Sequence, residues 1–558
     1  MNDIRRTILW VVFGFSLVML WDQWQLFNGR PAFFFQSPTA QTAAKGAASA
    51  ASAAVPQAAK GAAAVPSAGA EPSAAPRERF TVTTDVLRLT FDTEGGSLVG
   101  SEFLKHAADA VDGKKTTANF VLLEDNANRV YVAQTGLIGG DFPNHKTVMT
   151  ATGERQLKDG ANELTVRFES PEKNGVKLVK TYTLKRGAYD IPVKVDIVNA
   201  GGAPVSPQLY LQLVRDGSKL ATDSSFYSTF TGPAVYTEEQ KFQKVEFADI
   251  DKGKVEHQKQ STAGYVAMVQ HYFASAWILP QGVQRELFVR KVDNVYAAGM
   301  ITPAEAVAPG ATKSVQATFF AGPQEEKMLE QVAPGLDLVK DYGWLTILAK
   351  PLYWLMDKLH GFIGNWGWTI MALVLVIKIA FYWLQAKGYQ SMAKMKAVNP
   401  RIMAMRERLK DNPQQMQQEM MKLYREEKVN PIGGCLPILV QVPVFIALYW
   451  VLLSSVEMRH APWIGWIHDL SAKDPYFILP IVMTLSTMLQ TALNPVPPDP
   501  MQAKMMWFMP LIFSVMFFFF PAGLVLYWIT NNVLSIAQQW LINSRMGVPP
   551  EFNLPKFK

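Results

Sequence analysis

Two patterns of hydrophobic residues divide this chain. Between about residues 79 and 323, apolar and polar residues alternate in short runs. After residue 323 the chain contains long apolar runs. Alternation over about four to eight residues predicts strands with one buried face, and about 20 apolar residues can cross a bilayer as a helix. The sequence therefore predicts a β-rich part followed by a polytopic helical part.

The alternating runs are separated by Gly, Asn, Asp and Pro, which is typical of an antiparallel β-sandwich. No P-loop, GxGxxG motif, zinc-ligand spacing or nucleophile elbow appears among them. We therefore predict a sandwich domain over residues 79–335. The clearest runs are residues 86–91, 164–168, 176–184, 193–198, 209–213 and 315–320.

The chain begins with Arg5 and Arg6 followed by an apolar run. No small-x-small cleavage site closes this run, so residues 1–28 are predicted to be an uncleaved transmembrane anchor with a cytoplasmic N-terminus. A cleaved signal peptide is the alternative. Residues 29–78 are rich in Ala, Pro and Ser, a composition that predicts a disordered linker.

Residues 336–364 are predicted to form an interfacial amphipathic helix. Leucines recur there at three- and four-residue spacing, with Lys350, Asp357 and Lys358 among them and with Trp344 and Trp354 adding aromatic weight. This profile favours a helix lying at a membrane surface. The alternative is an ordinary amphipathic helix packed on the sandwich.

Residues 365–545 are predicted to form a core of five transmembrane helices, which the N-terminal anchor raises to six. The charges of the loops place both termini in the cytoplasm and the β-domain in the periplasm, with residues 546–558 as a short tail. The run 505–520 covers only about 16 residues, roughly 24 Å of helix. The predicted spans of the core are residues 365–384, 435–453, 476–489, 505–520 and 524–541.

A basic segment, residues 385–430, separates the first two spans of the core. It contains ten Lys or Arg and five Asp or Glu, which predicts a cytoplasmic location. Two stripes of Met, Ile and Leu predict two helices, with a turn at 411–413 and a kink at 399–400. We therefore expect an antiparallel hairpin that extends from the membrane.

Lys378 is a cation inside the predicted span 365–384. The other apolar runs of the core contain no Asp or Glu, so no carboxylate in a span can pair with it. A charge in a span is costly and by default indicates function, which favours a hydrated groove between helices. The alternative is that the Lys378 side chain extends along its helix to the membrane surface.

Other chemistry is sparse. The chain has one cysteine, Cys435, and its seven histidines lie outside the predicted spans, so the common general bases are missing from the membrane. We predict no catalytic residue, no cofactor and no metal. The net charge is +7. We attribute this excess to basic loops and do not take it as a sign of nucleic-acid binding. A sugar-binding or enzymatic role of the β-domain remains open.

Six short motifs occur in the second half of the chain. They are residues 391–395 (SMAKM), 405–409 (MRERL), 430–437 (NPIGGCLP), 466–471 (WIHDLS), 474–476 (DPY) and 523–527 (GLVLY). Together they resemble the YidC/Oxa/Alb family of membrane protein insertases, in its Gram-negative form. The order of parts, from anchor through periplasmic β-domain and interfacial helix to a five-helix core, also resembles that family.

The resemblance implies a groove open to the cytoplasm and to lipid. An arginine of the family corresponds to Lys378, which keeps the charge but loses bidentate pairing with a carboxylate. A threonine expected one turn earlier is Val374, and Gln441 is a candidate for the polar wall. The implied client-contacting positions on the later spans are Phe445, Met516, Phe517 and Trp528.

The function so implied is that of an inner-membrane insertase and folding chaperone that breaks no bond. Nascent membrane proteins would be its clients, and it would act alone or with the Sec translocon. The hairpin would meet the ribosome or the targeting machinery. The alternative is a small-anion transporter or channel, although neither repeated halves nor carboxylates within the spans are found.

Overall fold

The computed structural model describes residues 76–108, 118–218, 229–409, 412–427, 436–494 and 500–547, together with Pro56 and Phe552. The predicted anchor, nearly all of the linker and most of the tail lie outside the described residues. The described chain forms two compact units, one ending at Lys340 and one beginning at Asp341.

The first unit contains two sheets. β1, β2, β3, β6, β11, β18, β17 and β14 follow one another across the first sheet, with β4 beside β3 and β5 beside β6. The order in the second sheet is β13, β12, β15, β16, β19, β10, β9, β8 and β7. The strands are β1 (Arg79–Thr83), β2 (Leu87–Asp92), β3 (Ser97–Ala107), β4 (Asn119–Val121), β5 (Glu124–Asp125), β6 (Val130–Ile138), β7 (Thr150–Gly153), β8 (Glu163–Glu169), β9 (Val176–Lys185), β10 (Asp190–Asn199), β11 (Gln208–Asp216), β12 (Gly232–Thr237), β13 (Lys241–Lys244), β14 (Gln260–Ser261), β15 (Tyr265–Gln270), β16 (Phe273–Ile278), β17 (Arg285–Val292), β18 (Val295–Pro303) and β19 (Thr312–Pro323).

Neighbouring strands in both sheets pair antiparallel, which confirms the predicted sandwich. Apolar residues at alternate positions face inward, as in β8, where every second side chain is buried. Polar contacts also join the sheets: the Trp277 indole in β16 donates to the Gln212 carbonyl in β11 at 3.1 Å. Two short helices complete this unit, α1 (Phe247–Asp251) and α2 (Glu326–Val332).

The second unit is helical. Among its described residues, no single helix has both the length and the apolar character needed to cross a membrane, but one bent pair passes by length and composition. The pair is Trp366–Ala380 with Tyr382–Met395, bent by 69°. The helices are α3 (Thr346–Ile363), α4 (Trp366–Ala380), α5 (Tyr382–Arg408), α6 (Pro413–Glu426), α7 (Leu436–Ser454), α8 (Ile478–Leu493), α9 (Pro500–Phe517) and α10 (Ala522–Arg545).

Several helix boundaries differ from those predicted. The amphipathic helix begins at Thr346, because residues 336–339 and 343–345 form separate 3₁₀ turns. The span predicted over 365–384 is interrupted at Phe381, where α4 ends and α5 starts. Residues 500–504, expected in a loop, belong to α9.

The basic hairpin consists of α5 and α6, as the two apolar stripes predicted. Buried Val398, Ile402 and Leu423 form its small core, and Met395, Met405, Met420 and Tyr424 pack around them. The hairpin begins at Tyr382 rather than Gln385, and α5 continues through Pro400 without ending there. The ion pairs Arg401–Glu427 and Arg408–Glu419 link the two helices.

Helix α3 has one buried face and one exposed apolar face. Ala349, Tyr353 and Met356 are buried in the core of the helical unit. In contrast, Ile347 and Phe362 are 87% and 90% exposed. An apolar surface of this kind suits a membrane interface, which stays a prediction for this helix.

Candidate functional site

The ammonium group of Lys378 lies inside the helical unit. Lys378 belongs to the last turn of α4, and the N-terminus of this helix is capped by Asn365, whose side chain accepts a hydrogen bond from the Trp368 amide. The residue is only 7% exposed, and its Nζ donates to Ser535 Oγ on α10 at 2.6 Å. The carbonyl end of α4 also favours a cation in its last turn.

A partly open cavity lies beside this group, and its empty space of about 410 Å³ includes open solvent at the mouth. Most of its wall is apolar, and the polar side chains come from α4, α5, α7 and α10. The break at Phe381 lets residues on both α4 and α5 reach the same cavity. Its lining residues are Val374, Ile377, Lys378, Phe381, Leu384, Gln385, Gln441, Val444, Tyr527 and Asn531.

Hydrogen bonds fix most of these polar side chains. Gln441 Nε2 donates to Asn531 Oδ1 at 2.6 Å, which joins α7 to α10. Ser535 Oγ, which accepts from Lys378, donates to the Asn531 carbonyl oxygen at 2.7 Å. Lys378, Ser535, Asn531 and Gln441 therefore form one polar set on three helices, which we call the polar wall.

An aromatic layer lies beside the polar wall. The ring of Trp528 is 4.6 Å from that of Phe445 and 5.3 Å from that of Phe517, between ring centroids. Phe445 also stacks on Tyr527, which lines the cavity, at 5.8 Å. Met516 is partly buried against the same core.

The structure brings three of the seven predicted site residues to the cavity: Val374, Lys378 and Gln441. Phe445, Met516, Phe517 and Trp528 are not among the described lining residues and pack in or beside the aromatic layer instead. A role in client binding stays a prediction for all seven.

Four polar residues of the site are not predicted from the sequence: Ser535, Asn531, Gln385 and Tyr527. Ser535 is not a carboxylate, so the lack of Asp and Glu in the other apolar runs does not point to it as the partner of Lys378. A usable signal existed, because Tyr527, Asn531 and Ser535 recur every four residues within an apolar helix and so share one face. No group of three or more His, Cys, Asp or Glu suited to a metal occurs in the described part of the chain.

Comparison with known proteins agrees with this architecture. Residues 79–355 match the family described as the YidC periplasmic domain, and residues 358–548 match the 60Kd inner membrane protein family. Membrane protein insertase YidC of Cupriavidus taiwanensis is 58% identical over 562 residues, covering 98% of both chains. The protein of that name from Ralstonia nicotianae is 55% identical over 553 residues, covering 98% of both chains.

Two solved structures are also similar. A crystal structure of active YidC insertase with its first transmembrane domain resolved has a TM-score of 0.38 and 21% identity, covering 82% of this chain and 91% of that one. A galactose mutarotase related enzyme from Lactobacillus acidophilus has a TM-score of 0.29 and 8% identity, covering 44% of this chain and 97% of that one.

The antiparallel sandwich and the helical unit therefore define an inner-membrane protein with a periplasmic domain. More specifically, the chain belongs to the YidC family of membrane protein insertases, because its relatives match over nearly the whole length at well above 30% identity. Membership of this family assigns the insertion of nascent membrane proteins to this chain. Insertion is therefore a better interpretation than small-anion transport.

Proposed function

We propose that the cavity around Lys378 receives the polar flank of a client segment while the apolar part of the client moves into lipid. The observation that supports this most strongly is a buried ammonium group with no carboxylate among the described residues bonded to it. A negatively charged flank would supply the missing countercharge, and Coulomb attraction is stronger in a site shielded from water.

The cavity would shorten the apolar barrier that a polar flank must cross. Its polar wall offers hydrogen bonds from α4, α7 and α10, whereas bare hydrocarbon offers none. The aromatic layer of Phe445, Phe517 and Trp528, with Met516 beside it, would then guide the apolar part of the segment towards lipid. In this scheme Val374 and Gln441 line the entrance path, and no bond is made or broken.

The exposed apolar residues of α8 and α9 support a lipid-facing position for these helices. Leu485, Ile512, Phe513 and Val515 are all exposed although they are strongly apolar. We propose six transmembrane helices, cytoplasmic termini and an α3 that rests on the periplasmic surface of the bilayer. The basic hairpin would face the cytoplasm and meet the ribosome or targeting machinery, and cooperation with the Sec translocon belongs to the same proposal.

The proposal is tested by varying the charge of the client flank and the charge at position 378. Insertion of one client with a neutral flank and with an acidic flank is measured in the unmodified protein and in Lys378→Arg, Lys378→Ala and Lys378→Glu variants. Arginine should retain activity, whereas alanine and glutamate should impair the acidic-flank client more strongly, because attraction is lost or reversed.

The matched control is Lys387→Ala, which removes a positive charge from α5 at a side chain that lies over the Trp383 ring and outside the cavity lining. It should leave the difference between the two flanks unchanged. Equal loss for acidic and neutral flanks in Lys378→Ala and Lys378→Glu would contradict an electrostatic role for Lys378.

A further inference from the structure

Gln385 has an unusual position in the first turn of α5. Its side chain lines the cavity around Lys378, and the residue is only 6% exposed. Its side-chain oxygen Oε1 is buried and has no hydrogen-bond partner among the described residues. The sequence predicts Gln385 only as the start of the hairpin, and the structure adds it to the site.

A buried carbonyl oxygen without a partner is costly. The penalty is about 1–3 kcal/mol, and most buried polar atoms in native proteins avoid it. Among the described lining residues of the cavity, only Gln385 has a buried side-chain atom in this state. The other amides that line the cavity, those of Gln441 and Asn531, are bonded to each other, and Lys378 is bonded to Ser535.

A hydrogen-bond donor that enters the cavity would satisfy this oxygen. A cationic donor is disfavoured there, because the Lys378 ammonium lines the same space. A backbone N–H is neutral, and an unfolded segment that leaves bulk water brings N–H groups that need acceptors. The chemistry of Gln385 therefore fits the peptide backbone of an extended client flank.

We infer that Gln385 is a specificity-determining residue whose Oε1 accepts a hydrogen bond from a backbone N–H of the client flank. The inference rests on the proposed function of the cavity as the client-binding site. Gln385 and Lys378 then recognise two different properties of a flank, a free amide and a negative charge. Proline lacks an N–H, so a proline at the contacting position of the flank removes the first property and keeps the second.

The test combines a change in the protein with a change in the client. Gln385→Met keeps a long side chain and removes the acceptor. The client has an acidic flank in which a single proline is moved from position to position, with alanine as the reference. Gln385→Met should lower insertion of the alanine client roughly twofold to tenfold, the value of one hydrogen bond. At the contacting flank position, proline should lower insertion by a similar factor in the unmodified protein and by no further factor in Gln385→Met.

Gln538→Met is the matched control. Gln538 lies on α10, is 9% exposed, and has both side-chain amide atoms buried without partners, yet it is not among the described lining residues. The same substitution there should leave insertion of every client unchanged. Both variants are expected to fold, since replacing an unpartnered buried amide with an apolar group is close to neutral or stabilising; thermal unfolding in detergent verifies this.

A photoreactive residue at Val444, on the cavity wall, distinguishes failure of the proposed function from failure of the role inferred for Gln385. If the flank does not crosslink there in the unmodified protein, the proposed function fails and the inference with it. If it crosslinks but Gln385→Met leaves insertion unchanged, or reduces all proline and alanine clients by the same factor, only the role of Gln385 is overturned. Loss of the proline effect in Gln385→Met, with crosslinking retained, supports it.

Discussion

Lys378 Nζ and Ser535 Oγ form a 2.6 Å hydrogen bond between α4 and α10. The acceptor is a neutral hydroxyl rather than a carboxylate, so it orients the ammonium without neutralising it. The Lys378 side chain therefore points into the helical unit. The alternative interpretation, in which the side chain extends along α4 to the membrane surface, required the opposite orientation. A cation held in place in this way could attract an acidic client.

Ser535→Ala should destabilise the protein by about 1–3 kcal/mol, because a buried ammonium loses its acceptor. Ser535→Thr retains a hydroxyl and should have a smaller effect. Thermal unfolding in detergent measures both. In a Lys378→Met background the Ser535→Ala substitution should cost much less, since the ammonium is then absent. An equal cost in both backgrounds would show that Ser535 stabilises the protein without Lys378.

Lys180 predicts how the stability of the β-domain depends on pH. It is fully buried on β9, and its Nζ donates to the carbonyl oxygens of Gly95 and Thr135 at 2.6 and 2.7 Å. Burial lowers the pKa of the Lys180 ammonium from 10.5 to about 7. Between these values the unfolded chain binds more protons than the folded one, so the contribution of Lys180 to stability rises with pH and falls as pH drops towards 7.

Lys180→Met should remove this rise. The free energy of unfolding of the full chain, measured between pH 7 and 10, should therefore increase less with pH in the variant than in the unmodified protein. Lys185→Met, at an exposed position of the same strand, should leave the pH dependence unchanged. Parallel pH curves for the unmodified protein and Lys180→Met would contradict the assigned pKa.

The hairpin of α5 and α6 is predicted to be required for insertion, and deleting it should abolish activity. A gentler test is Ile402→Asp, which places a charge in the small core with Val398 and Leu423 and should separate the helices. Met403→Asp introduces the same group next to it on a side chain that is 53% exposed. Insertion should fall strongly only with Ile402→Asp; equal activity of the two variants would contradict the need for a folded hairpin.

The β-sandwich is predicted to be dispensable for insertion itself. The deletion should cover residues 79–323, because one ending at Met300 would cut β18 and leave β19 without a partner strand. Helix α3 should not be dispensable, and Met356→Asp, at a fully buried position, should impair insertion. Insertion in cells, with equal membrane levels verified, is the measurement. Loss of insertion on removing 79–323 would mean that the functional core includes the sandwich.

Much of the fold was predictable because local patterns produce it directly. Alternation with a period of two forces one face of each strand inward, which is why residues 176–184 predicted β9 closely. Stripes of Met, Ile and Leu likewise predicted two helices in the basic segment. The importance of Lys378 was also predictable, because a charged residue within an apolar run is costly and by default indicates function.

The tertiary structure decided what surrounds that lysine. Neither Pro nor Gly stands near Phe381, so nothing local predicts the break that separates α4 from α5 and turns Gln385 into the cavity. Ser535 follows Lys378 by 157 positions, and a hydroxyl in an apolar helix usually bonds its own backbone. The sequence by itself determined the two units and the buried charge, because these depend on local periodicity and composition. Only packing determined the partner, the cavity and the open acceptor, because these depend on which helices meet.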